Sequence, residues 1–378
     1  MRKQRWLGAS AALVSLMLVL AACNGGGESA AESAAESAAE SAAGSVEPAG
    51  FKACEVSDTG GIDDKGFNQN AYDGLKRAET ELGVEITFLE SSADTDYEPN
   101  INALMDAGCD LIITVGFLLG DATRTAALRN PEQLFAIVDF AYTPPVPNIR
   151  ALVFDTASAS MLQGYLAAGM STTGVVGTYG GAKIPTVTDF MDGFVAGVNY
   201  YNEQNDANVE VVGWDPVTQE GVFTDDFNDL GLGREKAEAL MQADADIIFA
   251  VAGPAGQGGM AAVQDNPSTL DPKPLFIGVD VDQYLSVPGF EDIMLSSELK
   301  RMDNAVFKAV EDAQLGPWTE NLYVGTLAND GVGIAPYHDL DSLVPAALKS
   351  EVDALKAALI DGSVKVADYS GKPEPPAA

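Results

Sequence analysis

Carboxylates and aromatic rings are concentrated in one stretch: Ser57-Asp58-Thr59-Gly60-Gly61-Ile62-Asp63-Asp64-Lys65-Gly66-Phe67-Asn68-Gln69-Asn70. Asp58, Asp63 and Asp64 can accept hydrogen bonds from hydroxyl, amino or ring N–H groups. Phe67 offers a face on which a flat ring can stack. The glycines Gly60, Gly61 and Gly66 permit tight turns, and Asn68 suits a helix N-cap. No Gly-x-Gly-x-x-Gly follows the preceding apolar run and no Walker A motif occurs, so the stretch provides no phosphate cradle. A purely structural reading is also open. Phe67 and Tyr72 have the spacing of a hydrophobic staple, and the aspartates could belong to a solvated loop.

Similar residues recur along the chain, each just after an apolar run. They are Gly116-Phe117, Asp139-Phe140, Tyr179-Gly180-Gly181, Trp214-Asp215, Gly253-Pro254-Ala255-Gly256 and Asp280-Val281-Asp282-Gln283, and a further run leads into Lys300. Taken singly, each has an ordinary explanation as a cap, a turn or a surface ion pair. Their coincidence at successive strand ends points to a ligand site, because open α/β sheets bind ligands beyond the carboxyl ends of their strands.

Catalytic signatures are poor. The single histidine, His338, stands outside that set, which argues against a histidine-based hydrolase or metal site. The reading is of a binding protein and not an enzyme, with no cofactor and no metal. Net charge is −35, and the leader holds three of the basic residues, Arg2, Lys3 and Arg5. So acidic a surface repels nucleic acid and free nucleotides and suits a neutral or cationic small ligand.

Alternating strands and helices must position these groups. Strand-like runs lie at 51–56, 84–89, 111–115, 134–138 and 151–154, with helical spacing at 68–82, 97–107 and 121–128 between them. A second set has strands at 174–179, 209–214, 246–252 and 275–281, and helices at 187–201, 232–243 and 257–263. A strand at 293–297, a helix at 302–313, short strands at 322–327 and 331–335 and a helix at 343–359 complete the pattern. This predicts an α/β protein of two Rossmann-like lobes with parallel sheets, the chain crossing between them more than once. The expected N-terminal lobe is 51–154 with 284–315 returning to it. The expected C-terminal lobe is 155–283 with 316–378 returning.

Residues 1–22 have a basic start and a short apolar core ending in Leu20-Ala21-Ala22-Cys23. This resembles a bacterial lipoprotein signal peptide, with Cys23 the lipidated residue; a plain secretory leader is the alternative. Residues 23–50 repeat Glu-Ser-Ala-Ala and read as a tether. Cys54 and Cys109 sit at the first and third strands, neighbours in a doubly wound sheet. A disulfide between them is expected outside the cytoplasm, two buried thiols being the alternative.

The residues quoted, together with Gly193-Phe194-x-x-Gly197 and Phe227-Asn228-Asp229 before Gly233-Arg234-Glu235-Lys236-Ala237, resemble the basic-membrane-protein family in order from Phe51 to Leu359. These are substrate-binding lipoproteins of ABC importers with the type I periplasmic-binding-protein fold. The resemblance implies capture of a nucleoside, a purine one, between two lobes and its delivery to an ABC permease with its ATPase subunits. It implies a monomer, extracytoplasmic and held to the cell membrane through the lipid alone, with no nucleic-acid partner. By position, Phe67 and Phe227 resemble the aromatics that sandwich the base. Asp139 and Asn68 resemble its polar partners, and Asp280 and Lys300 resemble the ribose contacts, with Asp58 lining the same cleft. The insertion from Trp214 to Phe223 departs from the family pattern and makes Phe223 and Trp214 rivals of Phe227. Three other functions stay open: a sugar, amide or signal molecule as solute on the same scaffold, a surface lipoprotein or sensor without an importer, and a nucleoside-acting α/β enzyme.

Overall fold

The computed structural model describes residues 50–266, 273–316, 318–319 and 321–372. The expected leader, Cys23, nearly all of the tether and the tail at 373–378 lie outside the described residues. The first run of elements is β1 (Lys52–Thr59), α1 (Phe67–Leu82), β2 (Glu85–Ser91), α2 (Tyr97–Asp106), β3 (Leu111–Val115), α3 (Gly120–Arg129), β4 (Leu134–Val138) and β5 (Ile149–Phe154). Then come α4 (Thr156–Met170), β6 (Val175–Gly180), α5 (Pro185–Asn205), β7 (Glu210–Val212), β8 (Trp214–Asp215) and β9 (Glu220–Gly221). The chain continues through α6 (Leu230–Gln242), β10 (Ile247–Val251), α7 (Pro254–Gln264), β11 (Leu275–Gly278), α8 (Gln283–Ser286) and β12 (Met294–Lys300). It ends with α9 (Met302–Leu315), β13 (Tyr323–Gly325), β14 (Val332–Ile334), α10 (Ala346–Asp361) and α11 (Ala367–Ser370).

The strands form two six-stranded sheets of matching design, in the orders β13-β5-β4-β3-β1-β2 and β14-β12-β11-β10-β6-β7. The pairings are parallel except β12 with β14. Central strands such as β3 and β10 are buried along their whole length, as sheets covered by helices on both faces require. The chain crosses between lobes at Asp155, at Arg301 and through 326–331. The crossings are bonded to one another: the Asp155 N–H donates to the Gly325 carbonyl at 2.8 Å, and the Arg301 N–H to that of Gly331 at 2.9 Å.

This corrects the expected returns at two strands. The strand within 284–315 is β12, which joins the second sheet, while α9 packs on α1 of the first lobe. Within 316–378, β13 joins the first sheet as its edge, beside β5. Pairing of short, distant strands is a non-local choice that local periodicity does not encode.

Helix α4 has no counterpart in the sequence reading. Residues 159–168 are buried without a break, so the helix is enclosed on every side and shows no amphipathic stripe. It lies against α5 with backbones nearly touching. A Cβ at Gly193 or Gly197 would strike the α4 main chain, which gives that glycine motif a packing cause. Cys54 and Cys109 form a disulfide, and β1 does neighbour β3.

Candidate functional site

The cleft between the carboxyl ends of the two sheets holds about 620 Å³ of space, part of it open to solvent. All eight residues singled out as ligand contacts line it: Asp58, Phe67, Asn68 and Asp139 from the first lobe, and Phe227, Gly253, Asp280 and Lys300 from the second.

On the first side, β1 ends at Asp58 and the glycine-bearing loop leads to α1. Helix α1 begins at Phe67, so Asn68 lies inside it, not at its cap. The capping work falls to Asp64, whose carboxylate accepts the N–H groups of Gly66, Asn68 and Gln69 at 2.9, 2.9 and 3.1 Å. Asn68 is thereby freed for the cleft. Its Nδ2 donates to Asp58 Oδ1 at 2.8 Å, while its Oδ1 is buried and has no partner among the described residues. Tyr72 packs on Phe88 with centroids 5.0 Å apart, and Phe67 faces the cleft.

On the second side, Phe227 sits over Gly181, where any side chain would displace it, and its carbonyl accepts the Ala255 N–H at 2.7 Å. Its rivals are placed elsewhere. The Trp214 indole N–H donates to Asp192 Oδ1 at 2.8 Å, Phe223 meets the Trp214 ring edge-on at 5.8 Å, and neither lines the cleft. The insertion is the β8–β9 hairpin that holds this pair.

Lys300, at the end of β12, supplies the cleft's one cation among the described residues. Its ammonium is 2.5 Å from Asp139 Oδ2 across the lobes and stands 5.0, 5.4 and 5.5 Å from the ring centres of Phe67, Phe154 and Phe190. Four carboxyl groups share the lining with it. Burial pushes the Asp58 carboxyl up to about 8, with Asp64, Asp139 and Asp280 adding to the push and the Asn68 hydrogen bond opposing it. Asp280 rises to about 7, again by burial, against the pull of Lys300. Burial also raises Asp139, and there Lys300 opposes it through both charge and hydrogen bond. Near neutral pH the site therefore holds carboxyl groups able to donate as well as accept.

Sequence reading missed the apolar wall made by Ile184, Val187 and Phe190 at the start of α5. Pro185 at the first turn of that helix, just beyond β6, was the available signal. It also missed Asp64 as the organiser of the α1 entry.

A family model described as "Bmp: ABC transporter substrate-binding protein PnrA-like" matches residues 51–364. The chain is 30% identical over 331 residues to the CD4+ T-cell-stimulating antigen of Listeria monocytogenes, covering 84% of this chain and 88% of that one. It is 30% identical over 311 residues to basic membrane protein A of Borreliella burgdorferi, covering 81% and 85%. A solved solute-binding protein of an ABC transporter system from Aeropyrum pernix K1 superposes with a TM-score of 0.74 at 26% identity, covering 83% of this chain and 92% of that one.

Proposed function

The chain belongs to the Bmp family of PnrA-like ABC transporter substrate-binding proteins, and on that premise we propose that it captures a nucleoside, a purine one, between its lobes and delivers it to a permease. The observation that carries this reading is the pairing of one aromatic from each lobe, Phe67 and Phe227, on the walls of a cleft that also holds Asp58, Asn68, Asp139 and Asp280. A ring on each wall suits a flat heterocycle, each stack being worth about 1–3 kcal/mol. The unpartnered Asn68 Oδ1 accepts a ring N–H or amino group. Asp139, held by Lys300, receives a second donor of the base, and Asp280 and Lys300 grip the ribose hydroxyls. The one cation lining the cleft among the described residues, Lys300, is already paired with Asp139, so a buried phosphate would find no free counter-charge and nucleotides are refused. Closure favoured by the ligand then presents both lobes together to the permease and its ATPase. Cys23 carries the lipid that keeps the protein at the cell membrane on its extracytoplasmic side. The chain does no chemistry on its cargo and acts as a monomer.

Native mass spectrometry of freshly purified protein is expected to find a bound nucleoside. A thermal-shift panel is expected to rank nucleosides above sugars and amides, because a ligand at 100 times its Kd adds about 2.7 kcal/mol. A panel in which millimolar nucleosides leave the midpoint unmoved while another solute raises it overturns the reading.

A further inference from the structure

The loop that delivers Phe67 and Asn68 to the cleft is gripped from the opposite lobe by two side chains that do not line the cleft. Gln257 Nε2, on α7, donates to the Asp64 carbonyl at 3.2 Å. Ser286 Oγ, at the end of α8, donates to the Lys65 carbonyl at 2.9 Å. The two acceptors are consecutive main-chain oxygens on the first lobe, and both donors follow strands of the second sheet. Lys65 takes a left-handed backbone, φ +61°, at the point where the loop turns into α1. The Asp64 carboxylate binds the first turn of that helix, so holding carbonyls 64 and 65 fixes where Phe67 and Asn68 stand.

We propose that Gln257 and Ser286 form a latch that holds the lobes shut independently of the ligand: positioning residues that set how much closed protein exists and how long a captured solute stays. Both acceptors are backbone atoms, so the latch reads the shape of the loop and not its side chains. Opening the cleft breaks both bonds at once, and neither residue competes with the solute for a partner. The inference needs only a scaffold whose lobes separate; the chemistry of the ligand does not enter it.

The test is an inter-lobe distance distribution by double electron–electron resonance on the ligand-free full chain. Spin labels go on two exposed positions, Glu79→Cys on α1 and Glu235→Cys on α6. Wild type is expected to show a short, closed population beside a long one. In Gln257→Ala/Ser286→Ala the closed-to-open ratio is expected to fall roughly ten- to thirty-fold, the effect of losing two neutral hydrogen bonds. Ser286→Thr, which keeps the hydroxyl, is expected to retain the latch with Gln257 intact. A double variant with the wild-type distribution overturns the proposal, and so does a ligand-free wild type found only in the long population. Both outcomes are independent of whether the cargo is a nucleoside.

Discussion

Asp139 and Asp280 occupy the same place in the two sheets. Each follows the third strand counted from the β13 or β14 edge, and each has a left-handed backbone, φ +69° and +68°. Non-glycine residues in that region carry a conformational cost, and it is retained where a site needs a side chain aimed in one direction. The likeness ends at Lys300. Its ammonium bonds Asp139 at 2.5 Å, while Asp280 feels it only through space. One carboxyl of the matched pair is thus bonded to the cation, while the other is raised by burial to about 7.

Lys300→Met should destabilise the fold strongly. Breaking a buried pair by removing one partner costs about 3–5 kcal/mol, because the other charge is left unpaired. Asp139→Asn/Lys300→Met should recover most of that loss while solute binding stays weak. Differential scanning calorimetry checks both; a Lys300→Met protein that melts like wild type would refute the pairing as a stabilising contact.

Phe67→Ala and Phe227→Ala should each weaken nucleoside affinity by about 5- to 150-fold, the effect of one lost stack. Phe223→Ala should instead lower the melting temperature, since that ring packs on Trp214 outside the cleft, and should leave affinity within a few-fold. Titration calorimetry on the three variants separates the roles. An Phe223→Ala affinity loss as large as that of Phe227→Ala would return the second stacking position to the insertion.

Stability should fall as pH rises from about 4 to about 8, and the cleft carboxyls are the cause. Asp58 and Asp280 titrate near 8 and 7 in the folded protein and near 3.8 in the unfolded chain. Between those limits the folded state holds protons that the unfolded state has released, so each unit of pH favours unfolding. Asp58→Asn removes one of these protons from the balance. The difference in melting temperature between that variant and wild type should therefore grow in the variant's favour across pH 5 to 8; a pH-independent difference would contradict the raised value.

Cys54→Ala/Cys109→Ala should lose about 4 kcal/mol, the chain-entropy expectation for a 55-residue separation. Both sulfurs lie in the core beneath α2, away from the cleft, so affinity should be unchanged. Chemical denaturation with and without reductant measures the first effect and calorimetry the second.

Much of this site was legible because alternating strands and helices force strand ends to one edge. Asp58, Asp139, Gly253, Asp280 and Lys300 follow apolar runs, so their convergence came from order alone. What the sequence concealed was relational. Nothing local announces that Lys300 of the second sheet reaches Asp139 of the first, since they are 161 residues apart. Asn68 read as a cap because its residue type suits one, and Asp64, four positions earlier, takes that work through its carboxylate. Helix α4 was invisible for the opposite reason: buried on every side, it lacks the polar face by which helices are recognised.

Neither lobe is a contiguous piece of chain. The first sheet lacks its edge strand until residues 323–325 are made, and α1 lacks its partner α9 until 302–315. A fragment ending at 155 would expose the flank of β5 and the underside of α1 to water, so an isolated N-terminal half should aggregate instead of folding. Completion of the first lobe therefore waits on residues made near the end of synthesis, so its folding is coupled to that of the second lobe rather than preceding it.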